Sequence, residues 1–258
     1  MKAAAFEHAR PTTLAEAVDL LAGAAGARAL AGGQSLGPML NLRLAQPRLL
    51  VQVNRLPELC GVDTDVDAVT IGSCVTHSAI ADGLTPDIGA GVLARVAASI
   101  AYRAVRNRGT IGGSLCHADP AADWVTVLIA LDASVLLQGP DGARRLHAAD
   151  FNQGAFRTAL QAGELLRDIR IPRLSGDARW AYEKACRKPG DFAHAMAAVL
   201  LRGDTRRVVI GALGGRPLLL QGDAASMDGA ADALRALDPV QRHMQLVVLR
   251  RAFAQAAA

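Results

Sequence analysis

Aromatic residues are scarce in this sequence. They make up 3% of its 258 residues, so the hydrophobic core must be built mainly from Ala, Val, Leu and Ile. Protein surfaces that bind single-stranded nucleic acid usually stack the bases on aromatic rings. The 28 basic and 24 acidic residues leave a net charge of +4 and are spread along the chain, which favours solubility more than a basic binding patch. A nucleic-acid partner is therefore not expected.

Paired cysteines and long apolar runs are also missing. The four cysteines stand far apart with no C-x-x-C pair, so the spacing indicates neither a zinc site nor an iron–sulfur ligand set. We expect reduced, buried thiols and no metal site. The first residues carry no apolar signal-peptide core, and nowhere do about eighteen apolar residues run together. The sequence thus predicts a cytoplasmic protein without membrane insertion.

The remaining pattern indicates a folded α+β protein with more than one lobe. The length suffices for two lobes or one large mixed domain. A helix is predicted after Thr13, because Thr13 and Glu16 have the spacing of a capping box. A short strand is predicted in "ARAL", which enters the stretch "AGGQS", and a further strand is predicted after it in "RLLVQVNRL". One longer helix is predicted in "IGAGVLARVAASIAY".

The second half predicts two hairpins and two terminal helices. The hairpins turn at residues 139–142 and at residues 203–204, and the helices lie in "ADALRAL" and "VQRHMQLVVLRRAFAQA". The polar break "SGDAR", near residues 174–179, marks a predicted lobe boundary. The basic residues of the last helix suit either a solvated face or a docking surface for a protein partner.

Two glycine pairs lie in polar surroundings, in "AGGQS" at residues 31–35 and in "TIGGS" at residues 110–114. Neighbouring glycines free the backbone and remove the side chains that block close approach, so that N–H groups can converge on an anion such as a diphosphate. The flanking amide and hydroxyl groups add neutral donors. Neither stretch matches the Rossmann fingerprint or the P-loop. The alternative is that both pairs are ordinary turns.

Longer segments around these pairs resemble a known family. They are "AGGQSLGPMLNLRLAQP", "TIGGSLCHADPAAD", "TALQAGELLRDIRIP" and "YEKACRKPGDFAHAMAAV", in this order. Together they resemble the FAD-binding medium subunit of the molybdenum hydroxylases, the family of xanthine dehydrogenase and carbon monoxide dehydrogenase. The resemblance covers nearly the whole chain. It implies a two-lobed FAD-binding domain of the p-cresol methylhydroxylase type, followed by a C-terminal lobe of antiparallel strands and helices.

The resemblance also implies which residues bind FAD. The two loops that hold the diphosphate correspond to Ala31, Gly32, Gly33, Gln34 and Ser35 and to Thr110, Ile111, Gly112, Gly113 and Ser114. Gln34 replaces the His or Asn that is common in the family, and Ser114 replaces its usual Asn. Asp119 and Asp123 correspond to positions near the ribityl and adenosine portions, where a carboxylate accepts hydrogen bonds from sugar hydroxyls. An N-cap of the following helix is the alternative role for Asp123.

Three further residues match positions beside the flavin ring: Leu166, Asp191 and Phe192. A plain core position is the alternative for Leu166, and a turn is the alternative for residues 189–191. Lys184, Arg187 and Lys188 make the last segment basic, either as solvated charge or in favour of a reduced, anionic flavin.

The implied function is electron transfer, with no catalytic residue for substrate chemistry in this chain. In the resembled complexes a large subunit carries the molybdenum cofactor and a small subunit with two two-iron clusters passes electrons to FAD, which delivers them to an external acceptor. The implied division places the FAD-binding domain in residues 1–175, with lobes of about 1–56 and 57–175, and a shortened C-terminal lobe in residues 176–258. Two alternatives remain: a stand-alone flavin-dependent oxidase or dehydrogenase, and a flavin-free scaffold subunit.

Overall fold

A computed structural model describes residues 2–257 of the chain. Its first part holds a small parallel sheet of three strands in the order β1-β3-β2. The elements are β1 (Glu7–Ala9), α1 (Leu14–Gly23), β2 (Arg28–Leu30), α2 (Leu36–Asn41) and β3 (Leu49–Gln52). Helix α1 buries Leu14, Ala17 and Val18 in a small core shared with Val51 of β3. Strand β1 carries no recognisable pattern in its three residues, and sequence reasoning missed it.

The cap of α1 differs in one detail from the predicted capping box. Thr13 Oγ1 accepts a hydrogen bond from the backbone N–H of Glu16 at 3.1 Å, as the box requires. The Glu16 carboxylate, however, accepts from the backbone N–H of Thr12 at 2.7 Å rather than from that of Thr13. Each contact still pairs a backbone N–H group near the helix start with an acceptor, and the helix begins where the sequence predicted it.

The next part of the chain is built on an antiparallel sheet of five strands in the order β4-β5-β10-β6-β7. Its elements are α3 (Pro57–Cys60), β4 (Val62–Thr64), β5 (Ala68–Gly72), α4 (His77–Ala81), α5 (Val92–Ala98), α6 (Arg103–Arg106), α7 (Ile111–His117), α8 (Asp123–Ala130), β6 (Ser134–Gly139), β7 (Gly142–His147), α9 (Ala148–Phe151), β8 (Asn152–Gly154), β9 (Arg157–Thr158) and β10 (Leu165–Pro172). The hairpin of β6 and β7 turns at residues 140–141, as predicted.

The longer helix predicted in residues 88–102 is wrong in its extent. The chain forms α5, leaves the helix after Ala98, and resumes helical structure only in α6. Between them Ala101 adopts a φ of +44°, a left-handed conformation that a non-glycine residue adopts at a cost. Its backbone N–H donates to the carbonyl of Gly190 at 3.1 Å, so a contact with a distant segment breaks the helix here.

The last part of the chain is an antiparallel sheet of four strands in the order β11-β12-β13-β14, covered by two helices. The elements are β11 (Arg179–Ala185), β12 (Ala195–Arg202), β13 (Thr205–Gly211), β14 (Leu218–Gln221), α10 (Met227–Ala233) and α11 (Pro239–Ala257). The second predicted hairpin and the last helix are confirmed. The α+β fold class is confirmed as well. The helix predicted in residues 231–237 is wrong in its extent, because Ser226 caps the first turn of α10 and the helix ends at Ala233. Among residues 2–257, none of the helices combines the length and the apolarity needed to cross a bilayer.

Helix α8 lies between the two larger sheets. All of its residues are buried, which is typical of a helix that is covered on every side. Along β12, Ala198 belongs to the core around α8, whereas its neighbours Ala197 and Val199 belong to the core under α11. This alternation follows the period of two of a strand that is buried on both faces. The main core thus contains residues from both sides of residue 175, and the division at that point remains a prediction.

Candidate cofactor site

The two glycine loops lie against each other. Gly32 follows β2, and a Cβ atom at this position would lie 1.9 Å from the carbonyl oxygen of Arg108 and 2.9 Å from the Cα of Gly109. Only glycine permits this approach of one backbone to another. The loop at residues 110–114 begins directly after Gly109, so two stretches that are far apart in sequence form one site.

The first loop offers unused donors. Among the described residues, none of the backbone N–H groups from Gly32 to Ser35 donates a hydrogen bond to another part of the chain. Gly33 adopts a φ of +73°, where glycine carries no steric cost. Consecutive unpaired N–H groups in a loop that precedes a helix are suited to an anion such as a diphosphate. The alternative interpretation as a plain turn does not account for these free donors.

The second loop is different, because its N–H groups are used within the protein. The N–H of Ile111 donates to the Val75 carbonyl at 3.1 Å, that of Gly112 donates to the Ser73 carbonyl at 2.9 Å, and that of Gly113 donates to Thr110 Oγ1 at 3.0 Å. The expectation that both glycine pairs present converging N–H groups is therefore wrong for this loop. Its remaining donors are side-chain hydroxyls.

Glycine at position 112 has a packing reason instead. A Cβ atom there would lie 2.4 Å from the Cβ of Ser73, so the helix α7 can approach the end of β5 only because residue 112 has no side chain. Gly113 is exposed and Ser114 is half-buried, so this part of the loop stays open to a ligand. Thr110 is buried, and its hydroxyl caps α7. The second loop therefore offers a ligand an exposed backbone surface without a side chain at Gly113 and the hydroxyl of Ser114, rather than converging N–H groups.

A cavity of about 470 Å³ lies between the end of α5, the start of α6 and the segment at residues 184–190. Its wall includes Ala101, Tyr102, Arg106, Lys184, Pro189 and Gly190. Gly190 has a φ of +86°, and a Cβ atom there would lie 2.7 Å from the Ala101 carbonyl oxygen. The "KPGDF" segment therefore packs on the turn between α5 and α6, and this contact shapes the cavity.

Asp123 lies beneath this cavity in a buried ion pair. Its Oδ1 accepts a hydrogen bond from Lys184 Nζ at 2.7 Å and another from the Tyr182 hydroxyl at 2.8 Å. Lys184 Nζ also donates to the Ser99 carbonyl at 3.1 Å. Burial, followed by the Asp123 charge, raises the pKa of Tyr182 well above its usual value, so the phenol remains a donor.

The N-cap role considered for Asp123 is wrong. Helix α8 begins at Asp123 itself, and the N-cap residue is Ala122, which makes no side-chain cap. The Asp123 side chain points to Lys184 and Tyr182 because that buried pair requires its carboxylate. Asp119 makes the local turn contact instead, since its Oδ1 accepts from the backbone N–H of Ala121 at 2.9 Å.

The three residues predicted beside the flavin ring lie in different environments. Leu166 is 3% exposed, belongs to the main core and pairs with Leu137 across the sheet. Asp191 lies in a turn, where its N–H donates to the Lys188 carbonyl. Phe192 is 63% exposed and open to a ligand or a partner. Flavin contacts by these three residues remain predictions. Leu166 does belong to the core, as its alternative role required.

Sequence reasoning missed a buried pair that supports the second loop. The Nδ1 of His77 accepts a hydrogen bond from Trp124 Nε1 at 3.1 Å, and the backbone N–H of His77 donates to the Gly109 carbonyl at 2.9 Å. His77 thereby connects α8 to the start of the loop. Burial, followed by the nearby charge of Arg106, lowers its pKa to about 4. No local motif marks either residue.

His77 gives the protein a predicted pH dependence of stability. The pKa of an exposed histidine in the unfolded chain is about 6.5, whereas folded His77 stays neutral down to a pH of about 4. Its stabilising contribution is complete above about pH 6.5, and we expect it to decline by about 1.4 kcal/mol per pH unit as the pH falls toward 4. Urea unfolding at several pH values measures this slope. His77→Gln, which can still accept from Trp124, should lack the slope, and equal slopes in both proteins would contradict the assignment.

Comparisons with known proteins agree with this geometry. Residues 4–174 match the family model described as the FAD binding domain in molybdopterin dehydrogenase. The medium chain of carbon monoxide dehydrogenase from Hydrogenophaga pseudoflava is 41% identical over 199 residues, which cover 76% of this chain and 69% of that protein. The 6-hydroxypseudooxynicotine dehydrogenase complex subunit alpha from Paenarthrobacter nicotinovorans is 35% identical, with coverage of 93% and 87%.

Solved structures show the same relationship over the full length. A structure of carbon monoxide dehydrogenase from Hydrogenophaga pseudoflava matches with a TM-score of 0.90 and 34% identity, covering 100% of this chain and 99% of the matched chain. A structure of quinoline 2-oxidoreductase from Pseudomonas putida matches with a TM-score of 0.87 and 31% identity, with coverage of 100% and 99%. The family resemblance and the cofactor FAD are thereby confirmed. This chain belongs to the FAD-binding medium subunits of the molybdenum hydroxylases, a family of oxidoreductase subunits.

Proposed function

We propose that this chain carries electrons for a molybdenum hydroxylase complex. The chain would hold FAD, which would supply the redox chemistry between the iron–sulfur clusters of a small partner subunit and an external acceptor. A large subunit with the molybdenum cofactor would be the source of the electrons. The observation that carries the proposal is the contact between Gly32 and the backbone at residues 108–109. It joins a loop of free N–H groups to the second glycine loop, and the helix before that loop, α6, contributes Arg106 to the cavity wall.

Different residues of the site suit the diphosphate, the sugar and the flavin ring of FAD. The free N–H groups from Gly32 to Ser35 suit the diphosphate, and the open surface at Gly113 and Ser114 lets the cofactor lie close to the second loop. The carboxylate of Asp119 suits a sugar hydroxyl, because an ionised carboxylate only accepts hydrogen bonds. We place the flavin ring in the cavity, whose wall includes part of the "KPGDF" segment.

Within this arrangement FAD supplies the redox chemistry when it is bound. The protein binds and orients it and sets its electrostatic surroundings. Asp123, Lys184 and Tyr182 form a rigid polar floor under the cavity, since each holds a hydrogen-bond partner within the group. Tyr102 of the cavity wall is exposed, and so is Phe192, two residues after Gly190 of that wall, so an acceptor or a partner subunit can approach either ring.

The partners are proposed from the relatives. Relatives are named as subunits of larger enzymes, among them the beta subunit of caffeine dehydrogenase and the medium subunit of nicotine 6-hydroxylase. A medium subunit of this kind needs a source of electrons on another chain, because the cysteines here offer no cluster spacing. The small iron–sulfur subunit and the large molybdenum subunit fill that role in the proposal.

Purification of the tagged chain from its own cells tests the proposal. We expect molybdenum and iron to co-purify with flavin, and we expect substrate to bleach the flavin bands of this complex under anaerobic conditions. Carbon monoxide, caffeine, nicotine and glyceraldehyde serve as first probes, since relatives are named for enzymes acting on them. The FAD-loaded chain alone should stay oxidised with the same compounds. Its reduction without partners would favour the stand-alone oxidase, and a complex without flavin would favour the scaffold.

A further inference from the structure

The cavity proposed for the flavin ring contains one cation without a carboxylate partner. Arg103 at its edge forms a two-bond ion pair with Asp82, and Lys184 is paired with Asp123. For Arg106 no carboxylate oxygen within residues 2–257 lies at ion-pair distance. Arg103 and Lys184 are thus each bonded directly to a carboxylate, whereas within residues 2–257 Arg106 is bonded to none and interacts with Asp82 only at longer range.

Hydrogen bonds fix the position of Arg106. Its Nη1 donates to the carbonyl oxygens of Ile100 at 2.9 Å and Ala101 at 2.7 Å. Its Nε is buried, and this atom has no hydrogen-bond partner in the described chain. A guanidinium keeps its charge under all ordinary conditions. Holding a charged group partly out of water costs free energy unless an opposite charge is near.

The field of Arg106 also reaches the groups around it. Burial first and the charge of Arg106 second lower the pKa of His77. The pKa of Asp82 is lowered mainly by its hydrogen bond to Arg103, although burial opposes this effect. The charge of Arg106 lowers it further. Arg106 therefore acts on the electrostatics of this region, and not only on the turn that it holds.

We propose that Arg106 stabilises negative charge on the flavin ring in this cavity and so favours reduced FAD over oxidised FAD. The inference rests on the proposed placement of the ring. A reduced flavin that has lost its N1 proton carries a negative charge, and a guanidinium on the cavity wall that is bonded to no carboxylate lowers the energy of that state. The two hydrogen bonds to the Ala101 turn keep the guanidinium in place, so it does not need to reorganise on reduction.

The test compares the binding of oxidised and reduced FAD to the full chain. Arg106→Met removes the charge, and we expect it to weaken the binding of dithionite-reduced FAD at least tenfold more than the binding of oxidised FAD. By linkage the midpoint potential of bound FAD then falls by at least about 30 mV for the two-electron couple. Arg106→Lys keeps the charge without the two-carbonyl geometry and should hold the ratio within about threefold of the wild type.

Arg95→Met provides the matched control, because Arg95 is an exposed arginine of α5 that does not line the cavity. It should leave the ratio of the two affinities unchanged. Equal weakening of both FAD forms by Arg106→Met and Arg106→Lys would show that Arg106 only holds the turn, and would overturn this inference while leaving the proposed function intact. A wild-type chain that binds neither form, alone or with its partners, would overturn both proposals.

Discussion

Gly33→Asp is expected to abolish the retention of FAD. The first loop presents unpaired N–H groups at this point, and a carboxylate placed among them would meet the diphosphate. Two unit charges about 4 Å apart repel by about 4 kcal/mol at an effective dielectric constant of about 20, which corresponds to a loss of affinity of at least a hundredfold. Equilibrium titration of the purified variant with FAD measures the loss.

Gly33→Asn separates charge from strain in this experiment. Both side chains have nearly the same shape, and both residue types tolerate a positive φ better than most others. Space is not the obstacle, because a Cβ at position 33 would meet only a Leu30 methyl group, at 3.4 Å. The Asn variant should keep most of its FAD affinity. Equal affinity of the Asp and Asn variants would contradict the placement of the diphosphate at this loop.

Lys184→Met is expected to lower the free energy of unfolding by about 3–5 kcal/mol. The side chains of Lys184 and Asp123 are only 10% and 7% exposed, and removal of the ammonium leaves a buried carboxylate without its counter-charge. Urea unfolding of the chain without FAD measures the change. The same exchange at Arg103, whose partner Asp82 is solvent-exposed, should have a much smaller effect.

The double variant Lys184→Met with Asp123→Asn supplies the control. An amide at position 123 still accepts the hydrogen bond of the Tyr182 hydroxyl, but it carries no charge that needs a partner. Much of the lost stability should therefore return. If the single variant were as stable as the wild type, or if the double variant were no better than the single one, the buried pair would not be the element that holds this floor together.

The glycine motifs were the most informative part of the sequence, because glycine pairs with flanking amide and hydroxyl groups predict a site for an anion such as a diphosphate. The free donors around Gly33 follow from them. The sequence did not show that the second loop uses its N–H groups internally. That outcome depends on the carbonyls of Ser73 and Val75, which a distant strand end brings to the loop, and no local signal reports such a contact.

Long-range contacts also explain the errors in the helices. The apolar periodicity of residues 88–102 contains nothing that ends a helix near Ala101, and the break comes from Gly190 and Arg106. The N-cap interpretation of Asp123 is wrong for the same reason, because the distant Lys184 forms an ion pair with its carboxylate. The predicted hairpins succeeded because their turns and strands are adjacent in sequence.

The proposed function requires that the two loops bind FAD. The decisive measurement is the visible absorption spectrum of the purified chain after incubation with FAD and desalting, with the released cofactor identified by chromatography. We predict flavin bands at near-stoichiometric occupancy in the wild type, with FAD rather than FMN released, and a colourless Gly33→Asp variant. A wild-type chain that stays colourless both alone and in a complex co-expressed with its partner subunits would contradict the account.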